Sequence, residues 1–162
     1  MKNKYTLIVC LILALISCKK GEAGVNMYPD SSFSYDGFTV PKEAEATASK
    51  NGNYLAFSLT QPGMEAKLPR LVFQMHNFHG TGTYSFADGE IQVYGQRGHD
   101  DTYWTNDREG EWTSGTIRIT RCDDVLIAEA EGILSHTEVK GSDVTYTQTP
   151  FRAFIHQAFM EI

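Results

Sequence analysis

The densest run of chemistry-bearing side chains is Tyr94 to Trp112, YGQRGHDDTYWTNDREGEW. It interleaves Tyr94, Tyr103, Trp104 and Trp112 with amides, acids and the guanidinium groups of Arg97 and Arg108. Aromatic faces beside amides suit stacking on sugar rings or anchoring a partner's surface. Turned inward, the same aromatics would instead cap one end of a sheet. Tyr103-Trp104-Thr105 sits in a strand pattern, which predicts a structural Trp104, whereas Trp112 follows a Gly-Glu turn and is better placed for contact. Asp100, Asp101 and Asp107 are weak candidates for a cation, because carboxylate oxygens on a loop suit Ca²⁺. The ordered DxDxDG spacing of a calcium loop is absent, however, so the acids read as a solvated loop and no metal is assigned.

Other constellations are thinner. His76-Asn77-Phe78-His79 has the separation of a metal pair, but residues three apart on a strand point to opposite faces, which favours two solvated imidazoles. The chain has no GxSxG elbow, no GxxxxGK[ST] loop and no HExxH helix motif. Cys122 stands next to Asp123 and Asp124, whose like charge disfavours a thiolate, so it reads as inert. Paired carboxylates for glycoside hydrolysis need only spatial adjacency. A small carboxylate- or metal-dependent hydrolase of envelope glycans, built around Asp100 to Glu111, therefore stands as the alternative to a non-enzymatic binding domain. The binding domain is the preferred reading, with a protein or glycan as partner; no catalytic residue and no cofactor is assigned.

The N-terminus carries a different kind of chemistry. Lys2 and Lys4 form a basic head, and Thr6 to Ser17 is an almost unbroken apolar run, the layout of a secretory signal. The run is shorter than the roughly 20 residues needed to span a bilayer core. It ends in Leu15-Ile16-Ser17-Cys18, which resembles the bacterial lipobox, in which the cysteine is diacylated and then exposed by cleavage. Residues 1–17 are thus expected to be a lipoprotein signal peptide. Cys18 is the expected lipidated residue, and residues 18–31 form a small, polar, flexible tether. Cys10 leaves with the signal, so Cys122 is the one thiol expected to remain unmodified and no intrachain disulfide is available. The domain from residue 32 to 162 must be held by its hydrophobic core, and it is long enough to have one.

Charge narrows the partners. The chain has 14 Lys+Arg against 20 Asp+Glu, a net charge of −6, and removing Lys2 and Lys4 makes the mature form more acidic. Such a surface is a poor partner for nucleic acid. The expected location is the cell envelope, as an outer-membrane lipoprotein held to the membrane through Cys18.

These residues need a frame to position them, and the periodicity of the chain supplies an all-β one. Asn53 to Thr60 places Leu55, Phe57 and Leu59 on one face, and Arg70 to His76 does the same with Leu71, Phe73 and Met75. Gly115 to Arg121 alternates Ile117 and Ile119 with Thr116, Arg118 and Thr120, and Val125 to Leu134 supplies a longer neighbour across a Cys122-Asp123-Asp124 turn. Further strands are expected at 33–40, 43–49, 83–86, 90–94, 102–105, 144–147 and 151–162, with turns at Pro62-Gly63, Asp88-Gly89 and Asn106-Asp107. About nine or ten strands with close turns predict an antiparallel β-sandwich, with a closed lipocalin-like barrel as the alternative.

The order Gly82-Thr83-Tyr84, Tyr103-Trp104-Thr105, Gly115-Thr116-Ile117-Arg118-Ile119-Thr120 and Ala130-Glu131-Gly132-Ile133-Leu134, followed by a Phe-rich last strand, resembles a family of small uncharacterised lipoproteins of Bacteroidota. The likeness runs over roughly residues 38 to 162. It implies an envelope lipoprotein of β fold; it implies no activity and supplies no catalytic residue.

Overall fold

A computed structural model describes residues 30–63, 69–96, 103–108, 111–140 and 142–159. The segment expected to be a signal, Cys18, most of the expected tether, Asp100 and Asp101 lie outside the described residues. The alternating segments form antiparallel strands: β1 (Ser32–Tyr35), β2 (Phe38–Val40), β3 (Glu45–Asn51), β4 (Tyr54–Thr60), β5 (Arg70–Met75), β6 (Gly82–Ser85), β7 (Ile91–Gln96), β8 (Tyr103–Thr105), β9 (Asp107–Arg108), β10 (Glu111–Trp112), β11 (Gly115–Cys122), β12 (Val125–Lys140) and β13 (Asp143–Ala158). Eleven of them make one sheet in the order β2-β1-β13-β12-β8-β7-β5-β4-β3, with β11 and β6 attached beside β12; β9 and β10 form a separate ribbon. The sheet curls into a half-barrel whose two ends, β2 and β3, do not pair. Its two halves face each other across the core, so the expected all-β antiparallel architecture is built from one folded-over sheet.

The strand count exceeds nine or ten for local reasons. Residues 33–40 do not make one strand: Asp36 and Gly37 both take positive φ, 49° and 72°, and fold the segment into a two-residue hairpin that pairs Tyr35 with Phe38. At the other end, β12 and β13 run 16 residues each, and Pro150 does not break β13. Pro150 stands opposite Ile133, whose N–H donates away from β13 to the Ser114 carbonyl at 2.9 Å. The pair is therefore one that exchanges no ladder bonds, and the Pro150 nitrogen points to the side where β1 has already ended at Tyr35.

Ile133 also marks where β12 changes partner. From Leu126 to Gly132 it pairs with β11, and at Ser135 it pairs with Thr105 of β8. This exchange passes the sheet from one half to the other. Beyond Ser135 the β12–β13 hairpin pairs only with itself among the described residues. Its side chains are mostly exposed there, Val139 and Val144 included.

The core fills the space between the halves. Phe57 stacks on Phe73 at 4.4 Å, Phe73 meets Phe151 at 5.9 Å, and Phe151 lies parallel to Phe86 at 5.8 Å, an aromatic chain joining β4 and β5 to β13 and to the 3-10 turn Phe86–Asp88. Tyr35 crosses the same space and donates from its hydroxyl to the Arg70 carbonyl at 3.1 Å. It fits because Gly95 has no side chain: a Cβ there would stand 3.0 Å from the Tyr35 ring. The domain begins slightly before Ser32, since Ser31 is fully buried and its hydroxyl accepts from the His156 N–H at 3.0 Å.

Candidate binding face

Pairing of β5, β7 and β8 sets their outward side chains in rows. Gln74 faces Gln92; Val72, Tyr94 and Thr105 form the next row; Arg70, Gln96 and Tyr103 form the one after. β4 and β3 extend the rows with Ser58 and Thr47 beside Val72, and with Thr60 and Glu45 beside Arg70. The inward residues of the same strands, Leu71, Phe73, Ile91 and Val93, are buried. They hold the rows against the core.

Tyr94 and Tyr103 are 36% and 47% exposed, large side chains that the fold does not cover. They lie diagonally on neighbouring strands, because Tyr94 pairs with Thr105 and Tyr103 with Gln96; such diagonal neighbours stand about 7–8 Å apart. The Tyr94 hydroxyl donates to Gln92 Oε1 at 2.7 Å, and Gln96 Nε2 donates to the Tyr103 hydroxyl at 3.5 Å. The rings are therefore presented in place. A depression of about 450 Å³ bounded by Gln92, Thr105 and Asp107 lies on one side of the pair. Another of about 240 Å³, bounded by Arg70, Val72, Gln74 and Gln96, lies on the other.

Trp104 does not join this face. It is 4% exposed, with its ring 5.5 Å from that of His136, and it belongs to the core. Successive residues on a strand point to opposite sides, so an outward Tyr103 requires an inward Trp104. Of the contact residues proposed from sequence, Tyr94 and Tyr103 come together and Trp104 is withdrawn. The backbone of Trp112 pairs with Asp107 in the β9–β10 ribbon, and its side chain lies outside the described residues.

The device that sets the height of β8 was not foreseen from sequence. Asn106, expected as a turn residue, is fully buried. Its Oδ1 accepts from the Val93 N–H at 2.9 Å, and its Nδ2 donates to the Ile91 carbonyl at 2.8 Å. Its own backbone bonds to the Val93 carbonyl and to the Thr113 N–H. The side chain thus continues the β7 ladder where the β8 backbone turns away, and Tyr103 is held in register with Gln96. On the other flank, His136 Nδ1 donates to the Tyr103 carbonyl at 2.9 Å.

The remaining sequence candidates are scattered. Asp107 is exposed and its N–H donates to Thr105 Oγ1 at 3.2 Å. The His76 ring lies tilted against Tyr54 at 5.5 Å, while His79 packs on Tyr84 at 4.8 Å and bonds the Asn77 carbonyl. No group of three His, Cys, Asp or Glu side chains able to hold a metal occurs among the described residues. Cys122 is half-buried at the edge of the core, and its carbonyl accepts from Lys50 Nζ at 2.7 Å.

The other half of the sheet presents a different surface. A groove of about 740 Å³ runs over β11, β12, β13 and β1, floored by Thr116, Arg118, Glu129, Glu131, Arg152 and Phe154. Its charges are spent on one another: Arg118 pairs with Glu129 at 2.5 Å and Arg152 with Glu131 at 3.7 Å. The hydrogen bond to Glu129, reinforced by its charge, raises the Arg118 pKa above its usual value. Both pairs are exposed, and their opposite charges offset each other along the groove.

Comparison with protein families, with curated proteins and with solved structures finds no match to this chain.

Proposed function

We propose that this chain is a lipid-anchored cell-envelope protein whose β domain is a non-enzymatic binding module, and that it meets its partner on the face of Tyr94 and Tyr103. The observation that carries the reading is the exposure of these two rings on paired strands, fixed by Gln92 and Gln96 and backed by the buried core. Exposed, pre-positioned aromatics lose little conformational entropy on binding and dominate contact energies where they occur. The anchor rests on the Leu15-Ile16-Ser17-Cys18 motif behind its basic and apolar segments. An acylated Cys18 would hold the domain at a membrane surface through residues 19–29, which are rich in small and polar side chains.

The test uses full-length protein in detergent and detergent-extracted cell envelopes of the producing organism, which retain no bilayer for acyl chains on Cys18 to enter. Tyr94→Ala and Tyr103→Ala are expected to weaken envelope binding of the solubilised protein about tenfold or more while leaving the urea midpoint nearly unchanged. Wild-type affinity in both variants would refute the assignment of the face.

A further inference from the structure

We propose that the ligand of the Tyr94–Tyr103 face is an uncharged polysaccharide strand, laid across the two rings from one flanking depression to the other; this rests on the reading of that face as the contact surface. The first argument is the chemistry of the rows. From β3 to β8 the outward positions carry hydroxyls, amides, tyrosines and the apolar Ala56 and Val72; Glu45 and Arg70 are the charged exceptions among the described residues, and Asp107 of β9 adds one carboxylate at the rim of a depression. Arg118, Glu129, Glu131 and Arg152 stand instead on the opposite half of the sheet. With Arg70 as its one cation among the described outward residues, the face lacks the clustered cations on which binding of an anionic polymer depends.

The second argument is geometric. Sugars present an apolar C–H face and a rim of hydroxyls, so they need a flat aromatic surface with donors and acceptors at its edge. Tyr94 and Tyr103 supply the surface, and Gln74, Gln92 and Gln96 supply side-chain amides that both donate and accept. Diagonal neighbours are rooted about 7–8 Å apart on the sheet, so the two tyrosines are offset along a bound chain and can meet different units of it. The depressions on either side leave the path open at both ends.

The experiment is affinity electrophoresis of the full-length protein in a polyoxyethylene detergent, which has no sugar headgroup. Gels contain galactomannan, xyloglucan or arabinan as neutral probes, or polygalacturonate as an anionic one. Retardation is expected from at least one neutral probe. It should weaken about tenfold or more in Tyr94→Ala and in Tyr103→Ala, and stay unchanged in Val139→Ala on the far hairpin tip. No retardation by any neutral probe, retardation by polygalacturonate alone, or retardation that survives both tyrosine substitutions would overturn the proposal. Envelope binding after periodate cleavage of vicinal diols separates the two readings. Tyrosine-dependent binding that survives periodate overturns the glycan and leaves the face standing. Binding indifferent to both tyrosines removes the face as well.

Discussion

Substituting Gly132 with alanine should cost about 3 kcal/mol, the upper end of what an added methyl costs in a packed interior. Gly132 pairs with Gly115 across β12 and β11, and the Phe86 ring, fully buried, lies over both. A Cβ on Gly132 would meet the Ser114 carbonyl oxygen at 2.7 Å, Gly115 Cα at 2.8 Å and the Phe86 ring at 2.8 Å. Carbon atoms rest at about 3.5–4.0 Å, and two of the three obstacles are backbone held by the ladder, so the strain has nowhere cheap to go. For Gly115→Ala the closest obstacle is the Phe86 ring itself, followed by the Glu131 carbonyl at 2.9 Å. Replacing Phe86 with leucine should therefore recover at least about 1 kcal/mol of the Gly115→Ala cost and little of the Gly132→Ala cost, a coupling that a double-mutant cycle reads directly. Urea melts with unchanged m-values supply the energies. At this chain length about 3 kcal/mol corresponds to a Tm loss of about 6–12 °C. A Gly132→Ala cost below about 1 kcal/mol, or equal relief of both variants by Phe86→Leu, would refute the packing of the slot.

Asn106→Ala should destabilise by about 2–5 kcal/mol, since it leaves the Val93 N–H and the Ile91 carbonyl buried without partners; thermal melts check this. Trp104→Ala should cost about 3–5 kcal/mol as a core truncation, and Tyr103→Ala on the adjacent position well under 1 kcal/mol. The Arg121 guanidinium, bonded to Asp123 Oδ1 at 2.7 Å, holds the Asp123 carboxyl well below the usual carboxylate range. Its contribution to the β11–β12 turn is thus complete above the unfolded-state value near 3.9 and is lost as pH falls through the lower folded value. Carboxyl NMR titration should find that low midpoint in the wild type and a return toward about 3.9 in Arg121→Ala. Cys18→Ala should abolish palmitate labelling and release the protein from membranes; unchanged partitioning would remove the anchor.

The strands that pack one face inward were legible because the pattern and the packing have the same cause. Leu55, Phe57 and Leu59, and Leu71, Phe73 and Met75, alternate in the chain and are buried together. The far half of the β12–β13 hairpin was not legible as two continuous strands, because a ribbon exposed on both faces has no reason to alternate: Thr137 to Lys140 and Asp143 to Thr145 are all exposed. Pro150 is tolerated within β13 because of Ser114, just before β11, and Tyr35, at the end of β1, and neither is its neighbour in the chain. Asn106 looked like a turn residue because its local signals are those of one; its role depends on β7, fifteen residues earlier at Ile91. For the site, period-two reasoning had already marked Trp104 as inward, and applied to Tyr103 it turns that ring outward. Tyr94 needed the β7–β8 register, which no local pattern supplies.

The central claim is that Tyr94 and Tyr103 contact the partner and do not stabilise the fold. The most direct measurement compares the Tyr94→Ala/Tyr103→Ala double variant with wild type in binding isotherms on detergent-extracted envelopes, which leave no bilayer for the anchor, and in urea melts run on the same preparations. The double variant is expected to lose saturable binding and keep a urea midpoint close to wild type. Retained binding, or a loss of several kcal/mol in stability, would contradict the claim.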